Sequence, residues 1–274
     1  MRTLRIGLIG DNISQSRFPA AMAAMCAARD IALDFTPIET SGATGFRFND
    51  EIDALRANGW DGISVTHPWK PAAARWADGD MTARAAELGA ANLLTFRPVA
   101  GYNTDYSGFL GAWRAVMDRS PGSVAVAGAG GVARAVVPAL FSLGAGPVTV
   151  WDRDPARARS LAAATGARAV SEAEAPEAVR SAEGVVNCTP LGMAPDTRSA
   201  FNAGWLGTQV WAFDAVYTPV ETPFLRAARA AGLNCLTGFD LFRFMALASF
   251  AAYTGHPPDP DRNLPLLDAL RPPI

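Results

Sequence analysis

The stretch Val124-Ala125-Val126-Ala127-Gly128-Ala129-Gly130-Gly131-Val132-Ala133-Arg134-Ala135 decides how the rest of the chain is read. An apolar strand runs into glycines that open a helix. Glycine is required there because the backbone turns tightly and must approach a pyrophosphate with no Cβ in the way. The free N–H groups at the helix start then hold the phosphates. The pattern is GxGGxxR rather than GxGxxG, and its third element, Ala133, still permits close helix–strand packing. The context completes a βαβ unit: a helix over Val132–Leu143, then a strand over Pro147–Trp151 that ends at Asp152, 24 residues after Gly128. An acidic residue at that spacing binds the adenosine ribose. Gly128, Ala129, Gly130, Gly131 and Asp152 are therefore the cofactor-binding candidates. A carboxylate at 152 accepts from a free ribose 2′-OH and repels a 2′-phosphate, which favours NAD. Arg153 and Arg157 argue for NADP, because either can pair with a phosphate. The reading is NAD or NADP, with NAD favoured.

Outward from this unit, strand-like and helix-like segments alternate, the mark of an α/β architecture. Towards the N-terminus the expected strands are Ile6–Ile9, Leu33–Ile38, Gly62–Val65 and Ala91–Arg97, and the expected helices Pro19–Arg29, Asn49–Asn58 and Ala83–Leu88. A linking helix over Tyr106–Asp118 leads to the punctuation Ser120-Pro121-Gly122. Beyond the βαβ unit come a helix at Pro155–Ala164, strands at Gly184–Asn187 and Gln209–Ala215, and a helix at Gly238–Tyr253, with a proline-rich, partly ordered tail at Pro257–Pro273.

The 274 residues, half of them hydrophobic and 18% charged, suit a folded globular protein of one large or two modest domains. A net charge of −2 gives no footprint for nucleic acid. No apolar run has the ~18 residues of a membrane span, and the N-terminus reads as a buried strand rather than a secretory signal. Cys26, Cys188 and Cys235 form no CxxC and suit small core positions in a reducing cytoplasm. With two histidines and no paired cysteines, no metal site is expected.

Of the 24 basic residues, Lys70 alone is lysine. Arginine cannot release its proton at usable pH, whereas lysine does where its surroundings favour the neutral form. Gly62-Ile63-Ser64-Val65-Thr66-His67-Pro68-Trp69-Lys70 sets this lysine in a turn at a strand end, and Gly101-Tyr102-Asn103-Thr104-Asp105 sets a carboxylate in a second strand-to-helix turn 35 residues later. Such loops bind ligands in α/β proteins. A lysine beside an aspartate passes a proton to and from an alcohol oxygen while hydride leaves the same carbon. Taken alone, Asp105 also reads as a helix N-cap.

Several runs together resemble one family. VTHPWK looks like the VTxPxK motif of the shikimate dehydrogenases, GYNTDYSGF like GxNTDxxGF, ELGAAN like xxGAxN, GAGGVARA like GAGGxxRA, NCTPLGM like NxTPxGM, and DAVYTPVETPFL like DxxYxPxxTxxL. They occur in family order along nearly the whole chain. The resemblance implies an N-terminal α/β substrate domain (1–104), a Rossmann, doubly wound dinucleotide-binding domain (105–237) and last helices (238–274) returning to the first domain. It implies a soluble cytoplasmic oxidoreductase of the chorismate pathway, monomer or homodimer, acting on a small hydroxy acid. Lys70 falls on the family's acid/base and Asp105 on the aspartate that orients it and binds a ring hydroxyl. Asn92 falls on a hydroxyl-binding asparagine. Ser16, Thr66 and Tyr217 fall on substrate positions near the carboxylate, and Thr189 and Gly238 on positions near the cofactor.

The substrate shell departs from the family. Its SxSPxxH motif reads Ser16-Arg17-Phe18-Pro19-Ala20-Ala21-Met22, so Phe18 replaces a hydroxyl and Met22 the histidine. Ser64 stands for an asparagine, Leu93 for a threonine and Met245 for a substrate-binding glutamine. Each lost hydrogen-bonding group costs about 1–3 kcal/mol in a dry site. The expected substrate is thus a shikimate- or quinate-like hydroxy acid, to be distinguished from shikimate itself by kinetics. A dehydrogenase for a quite different small hydroxy acid and a non-catalytic dinucleotide-binding module are the competing readings.

Overall fold

The computed structural model describes residues 2–272 and divides into two compact units, residues 2–104 with 245–270 and residues 105–244 with 271–272.

The first unit runs β1 (Thr3–Gly10), α1 (Phe18–Ala27), β2 (Ala32–Glu39), α2 (Phe48–Ala57), β3 (Gly62–Val65), α3 (Lys70–Trp76), α4 (Ala83–Leu88), β4 (Leu93–Phe96) and β5 (Val99–Tyr102). The strands form one sheet in the order β2-β1-β3-β4-β5. β1 pairs in parallel with β2 and β3, whereas β3–β4 and β4–β5 are antiparallel. Parallel pairing in the first three strands follows from the helices that cross between them. Their carboxyl ends consequently lie along one edge, where the loop after β1 and the Lys70 turn emerge. The four residues of β3 are all buried, as a central strand covered on both faces requires. Ile9, Ile52, Ile63, Val65, Leu94 and Phe96 form part of a core cluster around it.

Two elements here differ from the sequence expectation. Lys70 does not end in a bare turn but begins α3, with Pro71 in its first turn. Proline tolerates that place because the N–H it lacks has no intrahelical partner there anyway. Strand β4 doubles back through Arg97-Pro98 into β5, so the expected single strand is a hairpin.

The second unit contains α5 (Thr104–Val116), β6 (Val124–Ala127), α6 (Ala133–Ser142), β7 (Val148–Trp151), α7 (Pro155–Thr165), β8 (Arg168–Ala169), α8 (Ala175–Arg180), β9 (Gly184–Asn187), β10 (Trp211–Asp214), α9 (Pro223–Ala230), β11 (Asn234–Thr237) and the first part of α10 (Gly238–Thr254). Its sheet has the order β11-β10-β9-β6-β7-β8, every pair parallel. The order reverses at β6, which makes the carboxyl end of that strand the topological switch point where doubly wound sheets bind ligands. One face buries a cluster of Trp113 against Trp211 (centroids 4.7 Å apart) and Phe109 against Phe213 (5.0 Å). The Trp211 indole N–H is satisfied by the Pro121 carbonyl at 2.8 Å.

Within α10 the chain passes from the second unit to the first at Met245, seven residues after the expected Gly238 boundary. The tail carries α11 (Pro260–Asp268), capped by the Asp259 side chain and packed on α1. Among the described residues no helix is long and apolar enough to cross a membrane.

Candidate active site

The dinucleotide half is built at the switch point. Gly128 has φ +93°, and a Cβ there would meet the Cys188 carbonyl carbon and Thr189 Cγ2 at 2.9 Å. A Cβ on Gly130 would meet nothing within 4 Å, so the turn is open on that side. No side chain caps the start of α6, but the Arg134, Ala135 and Val136 N–H groups already donate to the Gly130 and Val132 carbonyls, so the anion-binding donors must come from the glycine turn ahead of them. Asp152, directly after β7, accepts from the Ala129 N–H at 2.8 Å through one oxygen and from the Asp154 N–H at 2.9 Å through the other. The carboxylate is thereby pinned to the glycine turn and keeps lone pairs for ribose hydroxyls. Arg153 is exposed. Arg157 lies 3.6 Å from Asp154, which shares its charge. The donor set and the open turn fit a dinucleotide.

The loop after β9 is held by a network absent from the sequence reading. Asp214, with no exposed surface, accepts from Asn187 Nδ2 (2.9 Å), the Val216 N–H (3.0 Å) and the Thr222 hydroxyl (2.6 Å). Asn187 Oδ1 in turn accepts from the N–H (2.9 Å) and hydroxyl (2.6 Å) of Thr189. Burial pushes the Asp214 carboxyl up to about 6, against the lowering by those three donors. Both residues stand in quoted motifs, NCTPLGM and DAVYTP, which was the one available signal. Gly238 begins α10 where a Cβ would lie 2.4 Å from the Ala215 carbonyl oxygen, so only glycine fits. Tyr217 is half-buried and stacks on Phe242 at 5.3 Å.

The other candidates, Asp105 apart, lie in the first unit. Lys70 is half-buried at the first position of α3, and its carbonyl accepts from the Ala91 N–H at 3.1 Å. This bond brings the lysine beside Asn92. Asn92 Oδ1 accepts from the N–H (2.7 Å) and hydroxyl (3.1 Å) of Thr104, so the side-chain oxygen is committed and the amide NH2 is the face left for a ligand. Val65 N–H donates to the Asn92 carbonyl at 2.8 Å, and Thr66 N–H to Ile9 at 2.9 Å, joining these residues to the ends of β1 and β3. Ser16 is half-buried, and its hydroxyl oxygen accepts from the Phe18 N–H at 3.3 Å. Asp105 is buried in the first turn of α5, as its second residue rather than at the N-cap.

The departures sort into two kinds. Phe18, Met22 and Leu93 are core residues, exposed by 4%, 0% and 0%, and the Phe18 ring faces Phe35 at 6.2 Å. Ser64 is buried with its hydroxyl 2.8 Å from the Tyr253 hydroxyl on α10. Met245 stays half-buried, and its carbonyl accepts from the Ser249 hydroxyl at 2.8 Å. Among the described residues no group of three or more His, Cys, Asp or Glu side chains is arranged to hold a metal ion.

Residues 8–94 match the model of the shikimate dehydrogenase substrate binding domain, and residues 123–209 match a domain described as NADP oxidoreductase, coenzyme F420-dependent. A quinate/shikimate dehydrogenase (NAD+) of Corynebacterium efficiens is 37% identical over 273 residues, spanning 95% of this chain and 96% of that protein. The solved quinate dehydrogenase of Corynebacterium glutamicum in complex with NAD superposes with a TM-score of 0.90 at 33% identity, covering 98% of this chain and 100% of that one. The shikimate 5-dehydrogenase of Thermus thermophilus in complex with NADP(H) and shikimate gives 0.85 at 31% identity, covering 97% and 99%.

Proposed function

The chain belongs to the shikimate dehydrogenase family, and from that premise we propose that it catalyses reversible hydride transfer between a nicotinamide dinucleotide and the hydroxyl-bearing carbon of a shikimate- or quinate-like acid. The observation that carries the reading is the placement of the only lysine: Lys70 heads α3 at the end of a buried parallel strand, backbone-bonded beside an asparagine whose free face is a donor.

In the oxidative direction neutral Lys70 takes the hydroxyl proton as the C–H bond gives up its electron pair and C=O forms; in reverse the ammonium returns that proton to the carbonyl oxygen. Asp105 orients the lysine and binds a ring hydroxyl. Asn92 donates to a second hydroxyl through its amide NH2. Ser16, Thr66 and Tyr217 hold the substrate carboxylate, with Ser64 and Met245 completing the shell. The nicotinamide, when bound, accepts or supplies the hydride. Gly128, Ala129, Gly130 and Gly131 hold its pyrophosphate, Asp152 its adenosine ribose, and Thr189 and Gly238 border it, with Arg153 flanking.

NAD is the preferred cofactor on this reading. A carboxylate fixed at 152 disfavours a 2′-phosphate. The substrate is a shikimate- or quinate-like acid whose contacts differ from the family pattern, because apolar Phe18, Met22 and Leu93 have joined the core where that pattern has polar groups. The enzyme works in the cytoplasm as a monomer or homodimer, a choice that light scattering decides.

Steady-state kinetics on shikimate, quinate and aminoshikimate with NAD and with NADP test these points. A shikimate efficiency of ~10⁴ M⁻¹s⁻¹ or more would overturn the altered-shell reading. Failure of every hydroxy acid in a broad panel to reduce either cofactor would overturn the dehydrogenase reading and leave a dinucleotide-binding module.

A further inference from the structure

The strands β1, β2 and β3 are adjacent and parallel, so the residues that follow them, Asp11, Thr40 and Thr66, meet at one edge of the sheet. Backbone bonds tie these ends together: Thr40 N–H to Gly10 at 3.0 Å, Asp11 N–H to His67 at 2.8 Å and Thr66 N–H to Ile9 at 2.9 Å. A side-chain chain lies over them. Trp69 Nε1 donates to Thr40 Oγ1 at 2.8 Å, and the Thr40 hydroxyl donates to Asp11 Oδ1. Its direction is dictated by chemistry. An indole N–H only donates, an ionised carboxylate only accepts, and the one hydroxyl proton of Thr40 must go to Asp11.

The Trp69 ring is fixed independently by stacking on Phe48 (5.6 Å, 17°) and by a tilted contact with Phe46 (5.2 Å, 54°). Lys70 is the next residue, and it starts α3. On the other side, Glu39 accepts from the Asn12 and Ile13 N–H groups (2.8 and 3.0 Å), which fixes the loop leading to Ser16. The neighbouring Ser41 hydroxyl and N–H also bond to Glu39 and are the main reason its carboxyl is lowered to about 2. The end of β2 therefore grips both the loop of Ser16 and the turn of Lys70.

We propose that Thr40 and Trp69 are positioning residues for the reaction: the Thr40 hydroxyl couples the Lys70 turn to the substrate-binding loop through Asp11, and so sets where the lysine amine stands relative to the bound acid. The proposal rests on the assignment of Lys70 as acid/base. It goes beyond that assignment by naming groups that touch neither substrate nor cofactor and yet act on the chemical step. Small displacements of a reacting group are costly, on the order of a hundredfold in rate for 1 Å.

The test uses the full-length chain with its best hydroxy acid and NAD, comparing Trp69→Phe, which keeps the ring stacking and removes the donor, Thr40→Val, which keeps the shape and removes the hydroxyl, and Thr40→Ser, which restores it. Thermal unfolding of each variant fixes the folded fraction. We expect Trp69→Phe and Thr40→Val to lower kcat on the order of tenfold per folded molecule, with the KM for NAD unchanged, and Thr40→Ser to recover most of the loss. Native kcat in Thr40→Val, or in Trp69→Phe should the former not fold, would overturn the proposal, as would an equal loss in Thr40→Ser. A Lys70→Met control separates the two levels. Turnover surviving in that variant overturns the assignment of Lys70 and the proposal with it, whereas an inactive Lys70→Met beside a fully active Thr40→Val overturns the coupling alone.

Discussion

The side-chain amide of Asn187 donates a 2.9 Å hydrogen bond to the carboxylate of Asp214, the residue directly opposite it on the neighbouring parallel strand. The pair locks the ends of β9 and β10 together, and through Asn187 it also holds Thr189 in the loop beside Gly128. Asp214 has no exposed surface, and its carboxyl sits at about 6 rather than at 3.8. Between those values the folded chain keeps a proton that the unfolded chain has lost. The contribution is therefore favourable at low pH and is lost as pH rises through the window from about 4 to about 6. At about 1.4 kcal/mol per pH unit, it amounts to at most about 3 kcal/mol. Asp214→Asn cannot titrate. Urea unfolding at pH 4.5 and at pH 7 should show the native chain losing stability relative to Asp214→Asn on the way up. Parallel curves for the two proteins would remove Asp214 from the account.

Lys70 should be essential for turnover and dispensable for dinucleotide binding. Lys70→Met is expected to lower kcat by about 10²–10⁴-fold, the usual worth of a positioned acid/base, with NAD affinity by titration calorimetry within about twofold of native. Lys70→Arg is the sharper variant. It preserves the positive charge but cannot give up a proton, so it should be as inactive as Lys70→Met. Recovery of activity in Lys70→Arg would mean that charge, not proton transfer, is what the site needs.

Cofactor choice should turn on Asp152. Its two oxygens hold the Ala129 and Asp154 N–H groups, so the carboxylate is in place before any ribose arrives. Asp152→Ser removes the repulsion of a 2′-phosphate and weakens the grip on the ribose. The KM for NAD should rise by about tenfold or more, the cost of roughly 1.5–3 kcal/mol for a hydrogen bond to a charged group, while the preference for NAD over NADP shrinks. An unchanged ratio of NAD to NADP efficiencies would place discrimination elsewhere, with exposed Arg153 the next residue to replace.

How far such assignments were legible beforehand depended on whether a residue's partner is local. The βαβ unit was readable because its strand, glycine turn and acidic residue are contiguous, and β3, α4, β6 and β9 have the bounds that apolar runs and turn residues indicated. Helix α3 was hidden because the run through Pro68 reads as a turn, whereas Pro71 just beyond it is a helix-starting proline. Helix α9 and strand β11 are short and alanine- or polar-rich, with no alternation strong enough to announce them. The Asp214 network was hidden for a different reason. Its partners Thr222 and Asn187 lie 8 and 27 residues away; the pairing of β9 with β10 brings Asn187 opposite it, and the return of the chain to the N-cap of α9 brings Thr222. The same holds for Trp69, Thr40 and Asp11, which three separate strands deliver to one edge.

Ser64 and Tyr253, 189 residues apart, form a buried hydroxyl pair at 2.8 Å beneath α10. Burial holds the Tyr253 phenol far above its ordinary range, so the pair is neutral at any working pH and bonds as two hydroxyls. Removing one partner strands the other without water. Tyr253→Phe and Ser64→Ala should each cost about 1–3 kcal/mol of stability, whereas the double variant leaves no orphaned group and should cost clearly less than the sum. Chemical denaturation of the four proteins gives the coupling directly. The result also bears on specificity. The family pattern has an asparagine at 64, and here the serine hydroxyl bonds instead to the helix that carries Met245. Additive single-variant costs would show that the two hydroxyls do not depend on each other, and that explanation of the serine would fall.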